Sequence, residues 1–197
     1  MSSLLFNKES RKESQQKDKI YYYNIKQKNA ISDFCRKLYE LIHTYSTTGK
    51  HFVLVCIGSD RATGDCLGPI IGYKLSSILG DDIIVYGTLA NPVHAVNLSD
   101  VIKQINDDYP ESFVIAIDAS LGKAHHIGYV TLGCGSIKPG IGVDKDLPAV
   151  GDIFITGIVN CSGIGAHTLL QTTRLHTVME MADFISYGIN YISNLED

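Results

Sequence analysis

The sequence predicts an α/β fold, a three-layer α/β/α sandwich with a mostly parallel central sheet, and three observations lead to this class. Short apolar runs alternate with amphipathic helical patterns along most of the chain, which is typical of α/β domains. The run FVLVCI at 52–57 is apolar throughout, as expected of a strand buried on both faces of a sheet. We find no internal repeat and no second core in the 197 residues, so the pattern predicts one domain.

Five strands and four helices follow from the apolar patterns. Continuous or alternating apolar runs give the strands, and apolar residues that recur at steps of three and four give the helices. The predicted strands are 51–57, 82–89, 112–118, 127–133 and 152–160. The predicted helices are 30–45, a helix that begins at Pro69, 97–109, and one long helix from about Gly165 to Leu195. Gly68 and Gly72 predict a close approach of the second helix to the sheet, and Gly188 a bend or a close contact in the last helix.

Composition separates a leader from the domain and excludes several classes of function. Residues 1–19 are rich in charged and polar residues, which predicts a disordered leader before a single α/β domain at 20–197. The net charge of −4 lacks the basic character of a nucleic-acid binder. No apolar run approaches the roughly 18 residues of a membrane span, and no secretory signal is recognisable. We therefore expect a cytoplasmic protein without a membrane or nucleic-acid partner.

The loop IGSDRATGDCLGPIIG, which follows the first predicted strand, is rich in glycine but does not fit a phosphate site. Gly58 and Gly64 are too far apart for the dinucleotide-binding pattern, and Asp65 and Cys66 stand where a P-loop has Lys and Ser or Thr. A carboxylate at that position repels phosphate. A helix cap is the structural alternative for Asp65, but Pro69 has no N–H to bond back to it, which favours a loop position.

Asp118 ends the third predicted strand, in the segment IDAS. If the strand order is 2-1-3, Asp65 and Asp118 lie at the carboxyl ends of neighbouring strands, where α/β sheets bind ligands. Two carboxylates that converge in a partly buried cleft can share one proton. One can then take a proton from water while the other donates a proton to the substrate. The pattern therefore predicts acid–base hydrolysis without a covalent intermediate; a turn-forming aspartate is the structural alternative for Asp118 and for Asp60.

Four motifs in order, GSDRATGDCLGP, IDASLG, PGIGVDKDLPAVGDIFITGIVN and LLQTTRL, resemble the YyaC family of sporulation proteins, described as spore proteases. That family is similar in turn to the germination protease, an atypical aspartic endopeptidase that degrades small acid-soluble spore proteins. A more remote similarity is to the hydrogenase maturation endopeptidases. The resemblance implies a phosphorylase/hydrolase-like fold, a protein or peptide substrate such as the small acid-soluble spore proteins, and a location in the sporulating cell or spore.

The resemblance also implies roles for individual residues. The catalytic loop TPDALGP of the germination protease is matched by ATGDCLGP, which assigns a catalytic role to Asp65, and its IDALA is matched by IDASL, which assigns one to Asp118. This chain is much shorter and has no obvious activation propeptide, so zymogen control is not implied. Hydrogenase maturation proteases bind nickel with acidic residues and a histidine, whereas the segment GTLANPVHAV offers His94 without a matching acid. We therefore predict no metal and no cofactor, with His94 as the one candidate ligand.

Two alternatives and one further set of contacts remain open at this point. The first alternative is a catalytically silent spore protein of the same fold that binds a peptide or protein partner. The second uses Cys66 as a nucleophile with His94 or His167 as its base. The long loop at 138–150 is predicted to border the crevice, because long loops in compact domains often contact substrate. The candidate substrate-binding residues are Asp60, Lys145 and Asp146, and a homo-oligomer is left open.

Overall fold

The protein folds around one mixed six-stranded sheet. The computed structural model describes residues 19–46, 51–80, 83–139, 147–163 and 165–195, so Lys145, Asp146 and almost all of the predicted leader lie outside the described residues. In chain order the strands are β1 (Ile20–Asn24), β2 (Phe52–Cys56), β3 (Ile83–Tyr86), β4 (Phe113–Gly122), β5 (Tyr129–Cys134) and β6 (Ile153–Cys161). Their order across the sheet is β1-β5-β6-β4-β2-β3.

Strands β3, β2, β4 and β6 are parallel neighbours, and β5 and β1 extend the sheet in antiparallel fashion beyond β6. The α/β class with a mostly parallel sheet is therefore confirmed. The 2-1-3 order is also found, because β2 lies between β3 and β4. This order brings the carboxyl ends of β2 and β4 side by side at one end of the sheet.

Helices cover both faces of the sheet. They are α1 (Ala30–Tyr45), α2 (Leu67–Leu75), α3 (Leu98–Asp108), α4 (Ala166–Gln171) and α5 (Leu175–Ser193). On one face α1, α2 and α5 pack against alternate residues such as Leu54 and Ile115. On the other face α3 packs against the intervening residues, including Val53 and Val55. The alternation shows why β2 is apolar throughout, since successive side chains of a strand point to opposite faces.

Helix α2 lies unusually close to the sheet, as its glycines predict. A Cβ atom at Gly68 would overlap the carbonyl oxygen of Ile57, and one at Gly72 would overlap that of Gly87. The predicted start of this helix at Pro69 is wrong, because α2 begins at Leu67. Proline is tolerated at this third position because the first N–H groups of a helix have no partner within the helix.

The predicted single helix at 165–195 is also wrong, because α4 ends at Gln171 and α5 begins at Leu175. The carbonyl groups that would continue α4 are bonded to other partners. Thr173 Oγ1 donates to the Leu169 carbonyl at 2.8 Å, and the Gly64 N–H donates to the Leu170 carbonyl at 2.8 Å. The predicted close contact at Gly188 in α5 is found, since a Cβ atom there would lie 2.5 Å from Phe34 Cε1.

The strand prediction missed one strand, made another too short, and extended β3 three residues beyond its end at Tyr86. The segment Ile20–Asn24 forms the edge strand β1, which was not predicted, although its three consecutive tyrosines favour a strand. The predicted third strand ends at Asp118, whereas β4 continues to Gly122. Among the residues described, no helix combines the length and the apolarity that crossing a bilayer requires.

Candidate active site

A cavity of about 470 Å³ opens at the carboxyl ends of β2 and β4. Both predicted aspartates, Asp65 and Asp118, line it. The remaining wall comes from the loop after β2, from residues 94–96, from the end of β4, from Pro139 and Leu147, and from α4. The sheet order places this cavity where open α/β sheets bind their ligands.

Gly58 turns the chain away from the sheet at the end of β2. The last backbone bond between β2 and β4 runs from the Ile57 N–H to the Ile117 carbonyl at 2.7 Å. The next N–H, that of Gly58, donates to the Val93 carbonyl at 2.8 Å. Gly58 has φ of +136°, a conformation that favours glycine, and a Cβ atom there would overlap the Asp65 carbonyl oxygen. This turn leaves space beside β4 and forms one wall of the cavity.

Asp65 is half-buried in the loop between β2 and α2. Its Oδ2 accepts a hydrogen bond from the Ser59 backbone N–H at 2.7 Å and another from Ser59 Oγ at 3.0 Å. Cys66, not Asp65, occupies the N-cap position of α2. The carboxylate is therefore not used as a helix cap, and two donors from Ser59 hold it in place.

Asp118 is 8% exposed in the sheet. Its Oδ1 accepts a hydrogen bond from the Ala119 backbone N–H at 2.8 Å. Burial, and next the negative charge of Asp65, raise the pKa of the Asp118 carboxyl well above its usual range, while the Ala119 bond opposes this shift. The carboxyl of Asp118 thus holds its proton in conditions where an ordinary aspartate has lost it.

Helix α4 forms another wall of the cavity, and contacts from distant parts of the chain hold it. His167, Leu170 and Gln171 from this helix line the cavity. Asn160, near the end of β6, donates from Nδ2 to the Leu169 carbonyl at 2.8 Å. Together with the bond from Gly64 to Leu170, this contact fastens the C-terminal part of α4 to β6 and to the loop after β2.

The other sequence candidates contribute less to the described cavity. Asp60 is exposed and is not part of the lining. Lys145 and Asp146 lie outside the described residues, although Pro139 and Leu147, which flank that segment, do line the cavity. Sequence reasoning missed Ser59 and Arg61, which also line it; the signal for Ser59 was its place next to Gly58 in the loop.

His94 lines the cavity, and its backbone N–H and its Nδ1 atom have local partners. Its Nδ1 accepts a hydrogen bond from the Val96 N–H at 3.3 Å, and its own N–H donates to Asn97 Oδ1 at 2.8 Å. Among the residues that the structure describes, no group of three or more His, Cys, Asp or Glu side chains could hold a metal ion. The position of His94 therefore fits a residue that shapes the loop before α3.

Cys66 is unsuited to act as a nucleophile in this cavity. Its Sγ donates to the Thr63 carbonyl at 2.8 Å, and the side chain is buried and is not part of the cavity wall. Burial raises the pKa of the Cys66 thiol, which disfavours the reactive thiolate. The geometry therefore does not support the cysteine alternative.

Comparison with known proteins now places the chain in a family. The model of the family described as "Protein of unknown function (DUF1256)" matches residues 22–188. The chain belongs to the DUF1256 family. The matched range includes both aspartates, the β2 loop and α4, so the whole described cavity lies within the part of the chain that the family model matches.

Two further proteins resemble this DUF1256 chain. "Uncharacterized protein YyaC" of Bacillus subtilis (strain 168) is 49% identical over 148 residues, which are 75% of this chain and 72% of that protein. The resemblance of the sequence motifs to the YyaC family is therefore confirmed. The crystal structure of a NiFe hydrogenase maturation protease, HycI from Thermococcus kodakarensis KOD1, is similar with a TM-score of 0.49 and 13% identity, covering 80% of this chain and 99% of that chain.

Proposed function

We propose that the protein is an endopeptidase in which Asp65 and Asp118 activate water for the hydrolysis of a peptide bond. One observation carries this proposal: a buried carboxyl whose pKa is raised lies in the same cavity as a second carboxylate that contributes to that shift. Pairs of titratable groups whose surroundings push their pKa values apart are typical of acid–base catalysis. The cavity also has apolar walls, such as those formed by Leu121 and Leu170, which suit the side chains of a peptide.

The raised pKa of Asp118 assigns it the role of the acid, which leaves the role of the base to Asp65. Asp65 accepts a proton from a water molecule as the water oxygen attacks the peptide carbonyl carbon, and Asp118 donates its proton to the carbonyl oxygen. The carbon–nitrogen bond of the intermediate then breaks. Asp65 passes its proton to the departing nitrogen, and Asp118 recovers a proton from the hydroxyl that becomes the new carboxyl group. Both aspartates return to their starting states, and one water molecule has been added across the bond.

The proposed substrates are proteins or peptides, with small acid-soluble spore proteins as the first to test. Their choice rests on the sequence motifs, which resemble the germination protease that degrades such proteins. The corresponding location is the cytoplasm of a sporulating cell or spore. The described lining carries two carboxyl groups and one arginine, a set that fits a mostly uncharged peptide backbone better than a phosphorylated ligand.

The proposal is tested by incubating the purified full chain with small acid-soluble spore proteins, with and without a chelator, and identifying fragments by mass spectrometry. We expect Asp65→Asn and Asp118→Asn each to lower the cleavage rate by about 100-fold or more, the usual size of an acid–base contribution. Asp107→Asn is the matched control, because Asp107 is exposed on α3, away from the cavity. The chelated sample should cleave as fast as the untreated one.

Two results would contradict the proposal. Cleavage that survives both aspartate substitutions would assign the activity to another site or to a contaminant. Binding of the same proteins without any cleavage by the wild-type chain would favour a catalytically silent binding protein of this fold.

A further inference from the structure

Strand β4 has one edge that is only partly paired. On one side β6 pairs with β4 from Ile115 to Gly122. On the other side β2 pairs with it from Phe113 to Ile117 only, and then the chain turns away at Gly58. Within the described ranges no strand takes the place of β2 next to residues 119–122. We call the backbone of 119–122 on this side the open edge.

The backbone groups on the open edge follow from the alternation of a strand. The Ile117 carbonyl faces β2, because it accepts from the Ile57 N–H. The Gly122 carbonyl faces β6, because it accepts from the Ser162 N–H. Since N–H and C=O groups of alternate residues point to the same side, Ala119 and Leu121 direct theirs toward the open edge. The irregularity at Ser120/Leu121 does not disturb this order, because the additional residue, Val159, belongs to β6.

The open edge is part of the cavity that contains the two aspartates. Ala119 and Leu121 both line the cavity, and Asp118 immediately precedes them in β4. The Ala119 N–H is bonded to the Asp118 carboxyl, so the Ala119 carbonyl and both the N–H and the carbonyl of Leu121 remain as the groups directed to a ligand. Four residues of strand extend about 13 Å, which is the length of a short extended segment.

We propose that an extended peptide binds along the open edge as an additional strand, between the end of β4 and the loop after β2. Backbone pairing of this kind recognises a peptide largely independently of its sequence, while pockets for alternate side chains add selectivity. It would lay one end of the bound segment over Asp118 and Asp65. The inference deepens the proposed endopeptidase function, since it specifies an unfolded, extended substrate, but the binding itself requires no turnover.

The binding mode can be tested with backbone-methylated peptides. A fluorescent ten-residue peptide is first selected from a random library for binding to the full-length Asp118→Asn variant, and its affinity for the wild-type chain is measured. Each residue is then N-methylated in turn, which removes one N–H donor. We expect methylation at every second position within a run of about four residues to raise Kd at least tenfold, and methylation at the intervening positions to change Kd less than threefold.

A substitution in the protein tests the same contact from the other side. Leu121→Pro removes the N–H directed to the open edge and should weaken peptide binding at least tenfold more than Leu121→Val, which alters the side chain but keeps this N–H. Thermal unfolding establishes that each variant is folded. If Leu121→Pro does not fold, the methylation series decides alone.

The outcomes separate this inference from the proposed function. If N-methylation raises Kd at alternate peptide positions but the wild-type chain cleaves no substrate, the strand-addition site is supported and the endopeptidase function is contradicted. If the wild-type chain cleaves its substrate but the effect of N-methylation on Kd does not alternate along the peptide, the endopeptidase function is supported and strand addition is overturned. A library that yields no peptide bound above background would overturn strand addition as well.

Discussion

At the scale of single residues, the surroundings of the two carboxyls give them different roles. Asp118 is enclosed by the sheet and receives one N–H donor, from Ala119, whereas Asp65 is half-buried in a loop and receives two donors from Ser59. Burial disfavours charge on Asp118, and the two donors fix the position of the Asp65 carboxylate. An acid and a base can therefore be formed by the same residue type in one cavity.

Replacing Asp118 by Asn should stabilise the protein at neutral and alkaline pH. The raised pKa of Asp118 means that the folded state binds its proton more tightly than the unfolded state. The wild type therefore has its full stability below the usual pKa of aspartate and loses stability as the pH rises through the folded pKa. Asn cannot ionise and keeps an oxygen acceptor for the Ala119 N–H.

We expect the melting temperature of Asp118→Asn to exceed that of the wild type at pH 8, with a smaller difference at pH 4. Each kcal/mol gained corresponds to about 2 to 4 °C in a domain of this size. Thermal unfolding across this pH range measures the effect. An Asn variant that is less stable at pH 8, or a difference that does not vary with pH, would show that the Asp118 carboxyl is not held neutral by burial.

Replacing Ser59 by Ala should lower kcat without a matching change in KM. The substitution removes the hydroxyl donor to Asp65 but leaves the backbone N–H in place. Hydrogen bonds to charged groups contribute about 1.5 to 3 kcal/mol, which corresponds to about a 10- to 100-fold loss of rate. Ser59→Thr, which keeps a hydroxyl, should retain most of the activity. Equal kinetics of Ser59→Ala and wild type would mean that the hydroxyl does not position Asp65.

The sequence allowed the positions of Asp65 and Asp118 to be predicted but not the contacts of Asp65. Asp118 follows an apolar strand and Asp65 a glycine-rich loop, and sheet topology brings such positions together. The bonds from Ser59 depend on the turn at Gly58, whose φ of +136° no spacing pattern specifies. The raised pKa of Asp118 depends on burial by residues distant in the chain.

At the scale of elements, α2 determines how closely the site loop is held against the sheet. Gly68 lies against the backbone of Ile57, the last residue of the chain that bonds to β4 before the turn. A side chain at Gly68 would push α2 away from β2. Both glycines of α2 were correctly predicted to mark a close approach, because helix–sheet packing at that distance has no room for a Cβ atom.

Gly68→Ala should destabilise the fold by about 1 to 3 kcal/mol or more, as overpacking of a core does. Gly80→Ala is the matched control, because a Cβ atom at Gly80 meets nothing within 4 Å; we expect it to change stability by less than about 0.5 kcal/mol. Urea denaturation measures both. Similar free energies of unfolding for the two variants would contradict the close contact between α2 and β2.

The break between α4 and α5 illustrates why element boundaries escaped prediction. The apolar spacing continues through 165–195, so periodicity alone indicates one helix. The carbonyl groups of Leu169 and Leu170 are instead bonded by Asn160 and Gly64, which are distant from α4 in the sheet and in the β2 loop. Tertiary contacts of this kind override local periodicity, and here they form a wall of the cavity.

At the scale of the whole molecule, two apolar cores hold the sheet on its two faces, and the site lies at the ends of the strands between them. The larger core depends on α1, whose Phe34 contacts Tyr23 and Phe184 and lies against Gly188. None of these residues lines the cavity. Stability and the chemistry of the site should therefore be separable.

Phe34→Ala should lower the free energy of unfolding by about 3 to 5 kcal/mol, the usual effect of truncating a buried aromatic side chain. Below its melting temperature, the folded variant should keep the peptide affinity and cleavage rate of the wild type. Tyr73→Ala, at an exposed position on α2, should change stability by less than about 0.5 kcal/mol. A selective loss of activity in folded Phe34→Ala would show that the α1 face and the site are coupled.

The architecture of the molecule was more predictable than its edges. The alternation of apolar runs and helices indicated the parallel strands β2, β3, β4 and β6, because the two-sided burial of such strands leaves a continuous apolar pattern. The antiparallel strand β1 was missed, since IYYYN directly follows a charged segment and pairs with β5 more than 100 positions away along the chain. Pairing over such separations leaves no local signal.

The proposed chemistry requires Asp118 to hold a proton beside Asp65, and isotope-edited NMR of the Asp118 carboxyl carbon during a pH titration measures this directly. We predict a titration midpoint well above that of an exposed aspartate in the wild type. In Asp65→Asn the midpoint should move toward the usual range without reaching it, because the neighbouring charge is removed while burial remains. A midpoint in the usual range, unchanged by Asp65→Asn, would contradict the account.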